Sequence, residues 1–327
     1  DHRDLPSFPT RRSSDLIEDT RDVLWKADSH LLIAYISPAD ERLRGFKASE
    51  VVGHHVLELF TPAGAEQVKG VLLASRQARA EGRLSPFVSF EAPHRCKDGR
   101  ELWGEVISRA EVDAHGNVVG YHGITREITQ RKLLEDQVRQ LAFFDPLTKL
   151  ANRRLLDDRL AQALAASKRS AGLCALMFLD LDNFKPLNDL HGHPVGDLLL
   201  VEVGNRLSAS VRQMDTVARF GGDEFVVLLG ELGTDPAQAA QQACAVAEKI
   251  RERLAEPYAL LAVQEDGTTR EVVHRCTASI GLVVFSGKHA LQSEVLDAAD
   301  AAMYQAKEAG RNRVSVGSVG PPAEPGV

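Results

Sequence analysis

The sequence predicts an α+β protein of two domains joined by a helical linker. Its 327 residues exceed the usual size of one domain, and a composition 44% hydrophobic and 26% charged is that of an ordinary globular chain. Short apolar and β-branched runs alternate with amphipathic stretches, and strands outnumber what a helical bundle needs. Between the two halves, residues 128–142 are charged and lack Gly and Pro. The net charge of −7, with no basic tract, argues against a nucleic-acid partner. No apolar run approaches bilayer-spanning length. Cys96, Cys174, Cys244 and Cys276 show no metal-type spacing and read as buried thiols in a reducing cytosol. The chain is therefore expected in the cytoplasm, with membrane contact only if a segment further upstream supplies a tether.

Residues 1–16 fit nothing that follows. They read as the translation of a common short-read sequencing adapter, departing only at Pro6, and are set aside from fold reasoning. The competing reading is a genuine basic, Ser/Pro-rich arm. If the stretch is an adapter, the natural chain is expected to run further upstream.

Residues 17–127 read as one small α+β domain. Asp22–Asp28 and Leu31–Ile36 form a strand pair. Short helices follow near Pro38–Gly45 and Ala48–Val52, then Leu57–Phe60, then a longer helix over Pro62–Ala80. Three strands close the domain at Phe87–Cys96, Glu101–Val112 and Val118–Arg126, with Asp98-Gly99 and His115-Gly116-Asn117 as turns. Tyr35-Ile36-Ser37-Pro38-Ala39, Gly53-His54-His55, Lys97-Asp98-Gly99 and Arg126-Glu127-Ile128-Thr129 together resemble a PAS sensor domain with its C-terminal motif. Glu127 stands where that family usually has Asp. The resemblance implies a pocket between sheet and helices. His54, His55, His94 and His122 could be metal or haem ligands, but read better as surface or capping histidines at a helix entry and on strand edges. No ligand is assigned to the pocket.

Residues 128–142 carry Leu134, Val138 and Leu141 at four-then-three spacing, a short coiled-coil seam. A parallel dimer stalk is expected; a single helix packed on one domain is the plainer alternative. Pro146 breaks the helix.

In the second half, Asn152–Ser167, Leu198–Val211, Pro236–Leu254 and Leu296–Ala309 read as helices. Leu173–Asp182 is nearly all apolar and reads as a strand buried on both faces. Such a strand should not end in Asp180 and Asp182 unless something charged waits there; alternation puts both on one side. Asn183 is a plausible cap for a short helix. Thr216–Phe220 and Phe225–Leu229 flank Gly221-Gly222 and predict a hairpin turning on the glycines. Asp223 and Glu224 follow that turn, and carboxylates there can hold a hard cation while glycines let a bulky ligand approach. Tyr258–Val263 and Val272–Phe285 are expected strands around a polar Gln264–Glu271 loop, and Arg313–Val316 is a final strand. Residues 318–327 read as a disordered Gly/Pro-rich tail.

These segments resemble the GGDEF family, the diguanylate cyclases. The resemblance covers residues 143–317 and rests on several separate stretches. They are Asp145-Pro146-Leu147-Thr148, Asn152-Arg153-Arg154, the Asp180–Lys185 strand end, Asn188-Asp189, His191-Gly192-His193, Gly196-Asp197, Gly221–Phe225, Thr277–Gly281, Ala299–Lys307 and Gly310-Arg311-Asn312. It implies a ferredoxin-like palm shared with nucleotidyl cyclases, and condensation of two GTP into cyclic di-GMP with release of two pyrophosphates. By resemblance, Asp180, the Leu181 carbonyl and Asp223 hold two Mg2+ ions about 4 Å apart, or Mn2+ in their place, and Glu224 either completes the metal shell or accepts the hydroxyl proton. Asp223 or Glu224 takes the hydroxyl proton; the sequence leaves both open. Gly221 and Gly222 admit the nucleotide, Asn188 and Asp197 read guanine, Lys307 and Arg311 grip the terminal phosphates from one helical turn apart, and Phe184 and Lys185 offer backbone amides at a helix start. Asp182 reads as structural. Arg212 and Asp215 resemble the family's inhibitory product site, with a helix-end ion pair as the plain alternative. The reaction needs a homodimer. Lys149 replaces the family's usual glycine and is expected to alter a loop rather than activity. The competing function is a non-catalytic receptor for GTP or cyclic di-GMP signalling through the PAS dimer. Intact hairpin acids and glycines disfavour it.

Overall fold

A computed structural model of the chain describes residues 22–81, 87–263, 268–288 and 290–319. The stretch read as an adapter, residues 264–267 of the expected polar loop and the tail beyond 319 lie outside the described residues. Two compact units divide the chain near residue 136.

The first unit begins with β1 (Val23–Asp28) and β2 (Ile33–Ile36). Asp28 closes their turn, its Oδ1 accepting from the amides of His30 and Leu32 at 2.8 and 2.9 Å. Helices α1 (Ala39–Arg44) and α2 (Ala48–Val51), a 3-10 turn at Val56–Leu59 and α3 (Pro62–Ala80) follow, then strands β3 (Val88–Arg95), β4 (Glu101–Val112) and β5 (Val118–Glu127). The sheet is antiparallel in the order β2-β1-β5-β4-β3. Val23, Ala27, Ile33 and Ile36 of the first hairpin pack with Ala39, Val51 and Val56 beneath the helices.

A cavity of about 70 Å³ remains inside this unit, lined mostly by apolar side chains with Arg44, Asp40 and His94 among them. That is about half the volume of a cavity that holds benzene. Arg44 and Asp40 form a buried two-pronged ion pair, Nε–Oδ1 and Nη2–Oδ2 both 2.6 Å.

The histidines divide. His55 caps the 3-10 turn through Nδ1, His54 meets Glu58 and His122 meets Glu111, all on accessible surface as expected. His94 differs: it is 3% exposed, stacked 4.2 Å from Phe60, with Nδ1 on the Ala92 carbonyl. Gly104, paired with Ala92 on the neighbouring strand, makes this fit, because a Cβ there would stand 2.6 Å from the ring. Burial, with Arg44 nearby, holds the imidazole neutral with a pKa of about 3.

Helix α4 (Thr129–Phe143) has no buried residue; Leu134, Val138 and Leu141 are exposed along it. The second unit then contains α5 (Arg153–Ser170), β6 (Cys174–Asp182), α6 (Phe184–His191), α7 (His193–Ser208), β7 (Thr216–Gly221), β8 (Glu224–Leu229), α8 (Pro236–Ala255), β9 (Tyr258–Val263), β10 (Thr269–His274), β11 (Thr277–Phe285), α9 (Gln292–Glu308) and β12 (Val314–Gly317). Its main sheet runs β12-β11-β6-β8-β7, antiparallel except where β12 joins β11. Every residue of β6 is buried because helices cover both faces. Ala175, Met177, Leu179 and Leu181 pack with α7 and α8. Cys174, Leu176 and Phe178 pack with α5 and α9. This is the ferredoxin-like palm.

Four local expectations are corrected. The strand read as Val272–Phe285 is two strands: β10 leaves the main sheet to pair with β9 as a separate ribbon, which leaves Leu261 and Val273 exposed. The hairpin turns at Gly222-Asp223, not Gly221-Gly222. A bulge at Phe220 moves the register by one, so Gly221 pairs with Glu224. Phe220 spends that extra residue packing edge-on against Phe178 at 5.1 Å. Asn183 makes no side-chain cap; it enters α6 in a left-handed conformation with φ 59°. Helix α7 begins at His193, with Pro194 in its first turn, rather than at Leu198.

Candidate active site at the strand ends

The acids gather because the strand period dictates it. Even-numbered residues of β6 face α5 and α9, so Asp180 emerges on that side after Phe178. On β8 the same face carries Val226 and Leu228, and therefore Glu224. Asp180 and Glu224 are direct cross-strand partners. Asp223 sits in the adjoining turn, and its carbonyl accepts from the Leu181 amide at 3.3 Å. Thus Asp180, Leu181, Asp223 and Glu224 share one end of the sheet.

The turn is fastened from behind. Arg219 donates from Nε and Nη2 to the Gly222 carbonyl at 2.9 and 2.7 Å, and from Nη1 to both oxygens of Asp145 at 3.2 Å. Thr148 also donates to Asp145. Burial raises the Asp145 pKa, but the hydrogen bonds outweigh it and the carboxyl ends below its ordinary range. A Cβ at Gly221 or Gly222 would meet open space, so room exists beside the hairpin backbone. Gly222 has φ 50°.

Asp180 is 9% exposed and pairs with Lys307 Nζ at 2.7 Å. Burial pushes its pKa up. Lys307 pulls it down, and Asp223 pushes it up again, leaving it raised overall. Glu224 is raised by burial first, then by Asp180, Asp300 and Asp223. Cys276, buried beside these acids, is pushed up to about 12 and is an inert thiol.

This donor set suits a magnesium ion. Crowded carboxylates at the end of a buried strand favour a hard cation, and oxygen is the donor it prefers. Among the described residues no three His, Cys, Asp or Glu side chains are grouped so as to hold an ion by themselves.

Of the remaining predicted residues, one group lies on the helices that follow β6 and a second at the end of α9, while Arg212 and Asp215 belong to neither. Asn188 lies against α7: a Cβ at Gly196 would stand 1.9 Å from its Oδ1, so only glycine permits the amide there. That Oδ1 is buried with no hydrogen-bond partner, an orphaned acceptor beside exposed Asp197. Phe184 and Lys185 form the first turn of α6, whose leading amides have no partner within the helix. Lys307 lies on α9 and is occupied by Asp180. Arg311 is not one helical turn along from it, as expected, but past the helix end in a left-handed loop with φ 63°. Arg212 and Asp215 stand apart, on the loop before β7. The Asp215 carboxylate accepts from the Arg212 and Gly230 amides at 2.9 and 3.4 Å, so it braces its own turn rather than pairing with the Arg212 guanidinium. Arg219, Asp145 and Asp300 were given no role by the sequence reading. Asp145 and Asp300 were signalled only by membership of the matched stretches, and Arg219 only by its place in the strand before the glycines.

Comparison with known proteins adds the following. Residues 142–313 match the family model for the diguanylate cyclase GGDEF domain, and residues 22–130 match a PAS domain model. The bifunctional diguanylate cyclase/cyclic di-GMP phosphodiesterase MucR of Pseudomonas aeruginosa is 47% identical over 173 residues, 53% of this chain and 23% of its own length. The diguanylate cyclase DgcP of the same organism is 40% identical over 183 residues, 56% of this chain and 25% of its own. A crystal structure of the coiled coil and GGDEF domain of DgcB from Caulobacter crescentus in complex with c-di-GMP is 28% identical. It has a TM-score of 0.49 and covers 58% of this chain and 93% of that one. The chain spans about a quarter of the length of these curated relatives.

Proposed function

Because the chain belongs to the GGDEF family of diguanylate cyclases, with a PAS domain ahead of the GGDEF domain, we propose that it condenses two GTP into cyclic di-GMP and two pyrophosphates. The observation that carries this is the cross-strand pair Asp180–Glu224 with Asp223 in the next turn. In this reading Asp180, the Leu181 carbonyl, Asp223 and Glu224 hold Mg2+, or Mn2+. The ions, when bound, supply positive charge to the attacking and leaving oxygens. Asp223 or Glu224 accepts the proton of the 3′-hydroxyl. Gly221 and Gly222 leave space for the nucleotide. Asn188 and Asp197 receive the guanine edge, and the orphaned Asn188 acceptor supports that role. Lys307 leaves Asp180 for phosphate once a cation takes its place, and Arg311 joins it. The amides of Phe184 and Lys185 cradle the phosphates.

Each GTP is attacked by the hydroxyl of another, so two copies must face one another. The exposed Leu134, Val138 and Leu141 of α4 support a parallel dimer through that helix. We place residues 17–127 as the PAS sensor that regulates this dimer, 128–142 as the stalk and 143–317 as the cyclase domain. Arg212, with its guanidinium uncommitted to Asp215, is read as the grip of an inhibitory product site. No helix among the described residues is long and apolar enough to cross a membrane, and we place the activity in the cytoplasm.

The test is direct. Purified protein given GTP and magnesium should yield cyclic di-GMP, Asp180→Asn should yield none, and Arg212→Ala should relieve inhibition by added product. A wild-type chain that binds GTP and returns it intact would favour the receptor reading instead.

A further inference from the structure

Asp182 ends β6 two residues after Asp180 and faces the same side of the sheet, yet it is set apart. It is 4% exposed, and its carboxylate is fully engaged. Oδ1 accepts from the Ser279 hydroxyl at 2.7 Å; Oδ2 accepts from the Thr277 hydroxyl at 2.6 Å and from the Asn312 amide at 3.1 Å. Its three donors leave little for a cation. The third is the unusual one, because it comes from a loop 130 residues away in the chain.

That loop has a strained backbone. Gly310, Arg311 and Asn312 are consecutive left-handed residues with φ of 111°, 63° and 45°. Two are not glycine and adopt this conformation at a cost. The backbone amides of such a turn have no regular helix or sheet partner and need acceptors of their own. Here the Asp182 carboxylate binds one of those amides. The Arg311 amide closes onto the Ala306 carbonyl at 3.0 Å, and Asn312 Oδ1 takes a bond from Arg251 at 3.1 Å. The Arg311 side chain, by contrast, is exposed and has no ion pair among the described residues. A left-handed, hydrogen-bonded backbone thus carries an uncommitted cation out into solvent beside the end of the strand that bears Asp180.

We propose that Asp182 is a positioning residue for the phosphate site: by holding the Asn312 amide it fixes the left-handed Gly310–Asn312 turn that presents Arg311 to the terminal phosphates of the nucleotide. One strand end then sets both halves of the substrate grip. Asp180 faces the cation, and Asp182 aims the arginine. This inference rests on the phosphate role given to Arg311 above.

The experiment is a double-mutant cycle read as binding of GTP and of GDP to the full chain with magnesium, with thermal melting alongside. Arg311→Ala should weaken GTP about tenfold, the loss of one charge-assisted contact, and GDP much less. Asp182→Ala should do the same, and the double variant should be no weaker than Arg311→Ala alone. Multiplying losses in the double variant would overturn the proposal, because Asp182 would then act independently of Arg311. If Arg311→Ala itself leaves GTP binding intact, the phosphate role fails first and takes this inference with it. Should Asp182→Ala not fold, Asn312→Pro serves. It removes the amide and forbids the left-handed turn at an exposed site, and must also weaken GTP about tenfold. Unchanged GTP binding in folded Asn312→Pro would overturn the proposal as well.

Discussion

Replacing Gly196 by alanine separates nucleotide reading from folding. Gly196 lies in α7 with helical backbone, so alanine gains up to about 1 kcal/mol of helix propensity there. The new Cβ, however, would stand 1.9 Å from Asn188 Oδ1, 2.9 Å from its Cγ and 3.2 Å from Phe184 Cζ. The amide must retreat by about 1 Å or more to reach ordinary contact. It sits at the end of a flexible side chain, so it can swing aside at little cost to the fold. In the proposed base-reading role of Asn188, what is lost is the alignment of one amide with the base. One or two hydrogen bonds, worth about 1.5–3 kcal/mol with the penalty of unmet partners, correspond to roughly 10–100-fold weaker GTP binding. Titration with GTP and ATP, with melting curves in parallel, measures both halves of the claim. The variant should melt at or near the wild-type temperature, bind GTP poorly and prefer it less over ATP. Near-normal GTP affinity in a well-folded Gly196→Ala protein would remove Asn188 from the base site.

Three further outcomes follow from the same geometry. Asp180 and Glu224 both titrate above the ordinary carboxylate range, so the folded state holds their protons more readily than the unfolded chain. Their contribution to stability is complete at low pH and is lost as pH rises through the raised values. Magnesium offsets the loss, so it should raise the melting temperature near neutral pH and do progressively less toward about pH 4; an equal shift at both ends contradicts the site. Lys149 occupies a left-handed position with φ 59°, and Lys149→Gly should stabilise the second unit by about 0.5–1 kcal/mol in denaturant unfolding without loss of turnover. In the first unit, Asp40→Ala strands the buried Arg44 guanidinium and should cost about 3–5 kcal/mol. Unfolding that leaves this unit as stable as before would show the pair to be dispensable.

Much of the architecture was legible because burial wrote it plainly. The unbroken apolar run of Cys174–Leu179 could only be a strand covered on both faces, and two acids at its end announced a charged partner. The Asp180–Glu224 pairing needed one further step, the hairpin register, and there the glycines misled. Gly-Gly looked like the turn, but Phe220, packed on Phe178, forms a bulge, and the turn falls at Gly222-Asp223. The break at Arg275–Cys276 was hidden because no Gly or Pro marks it; only the sheet each strand joins separates the two runs. His94 was misread for a related reason. Its burial depends on the space over Gly104, ten residues away on the next strand, which no local pattern records. The Arg219 clamp and the Asp182 bond to Asn312 are long-range contacts between polar residues. Sequence showed the residues but gave no sign of the pairing.

The central claim is that two copies, each holding GTP at the Asp180–Glu224 strand ends, must meet for bonds to form. Specific activity measured against protein concentration, with pyrophosphate and cyclic di-GMP counted together, addresses it directly. Output per chain should climb with concentration through the range of dimer formation, with two pyrophosphates for each cyclic di-GMP. Specific activity that stays constant down to monomeric dilution, or pyrophosphate released without the cyclic product, would contradict it.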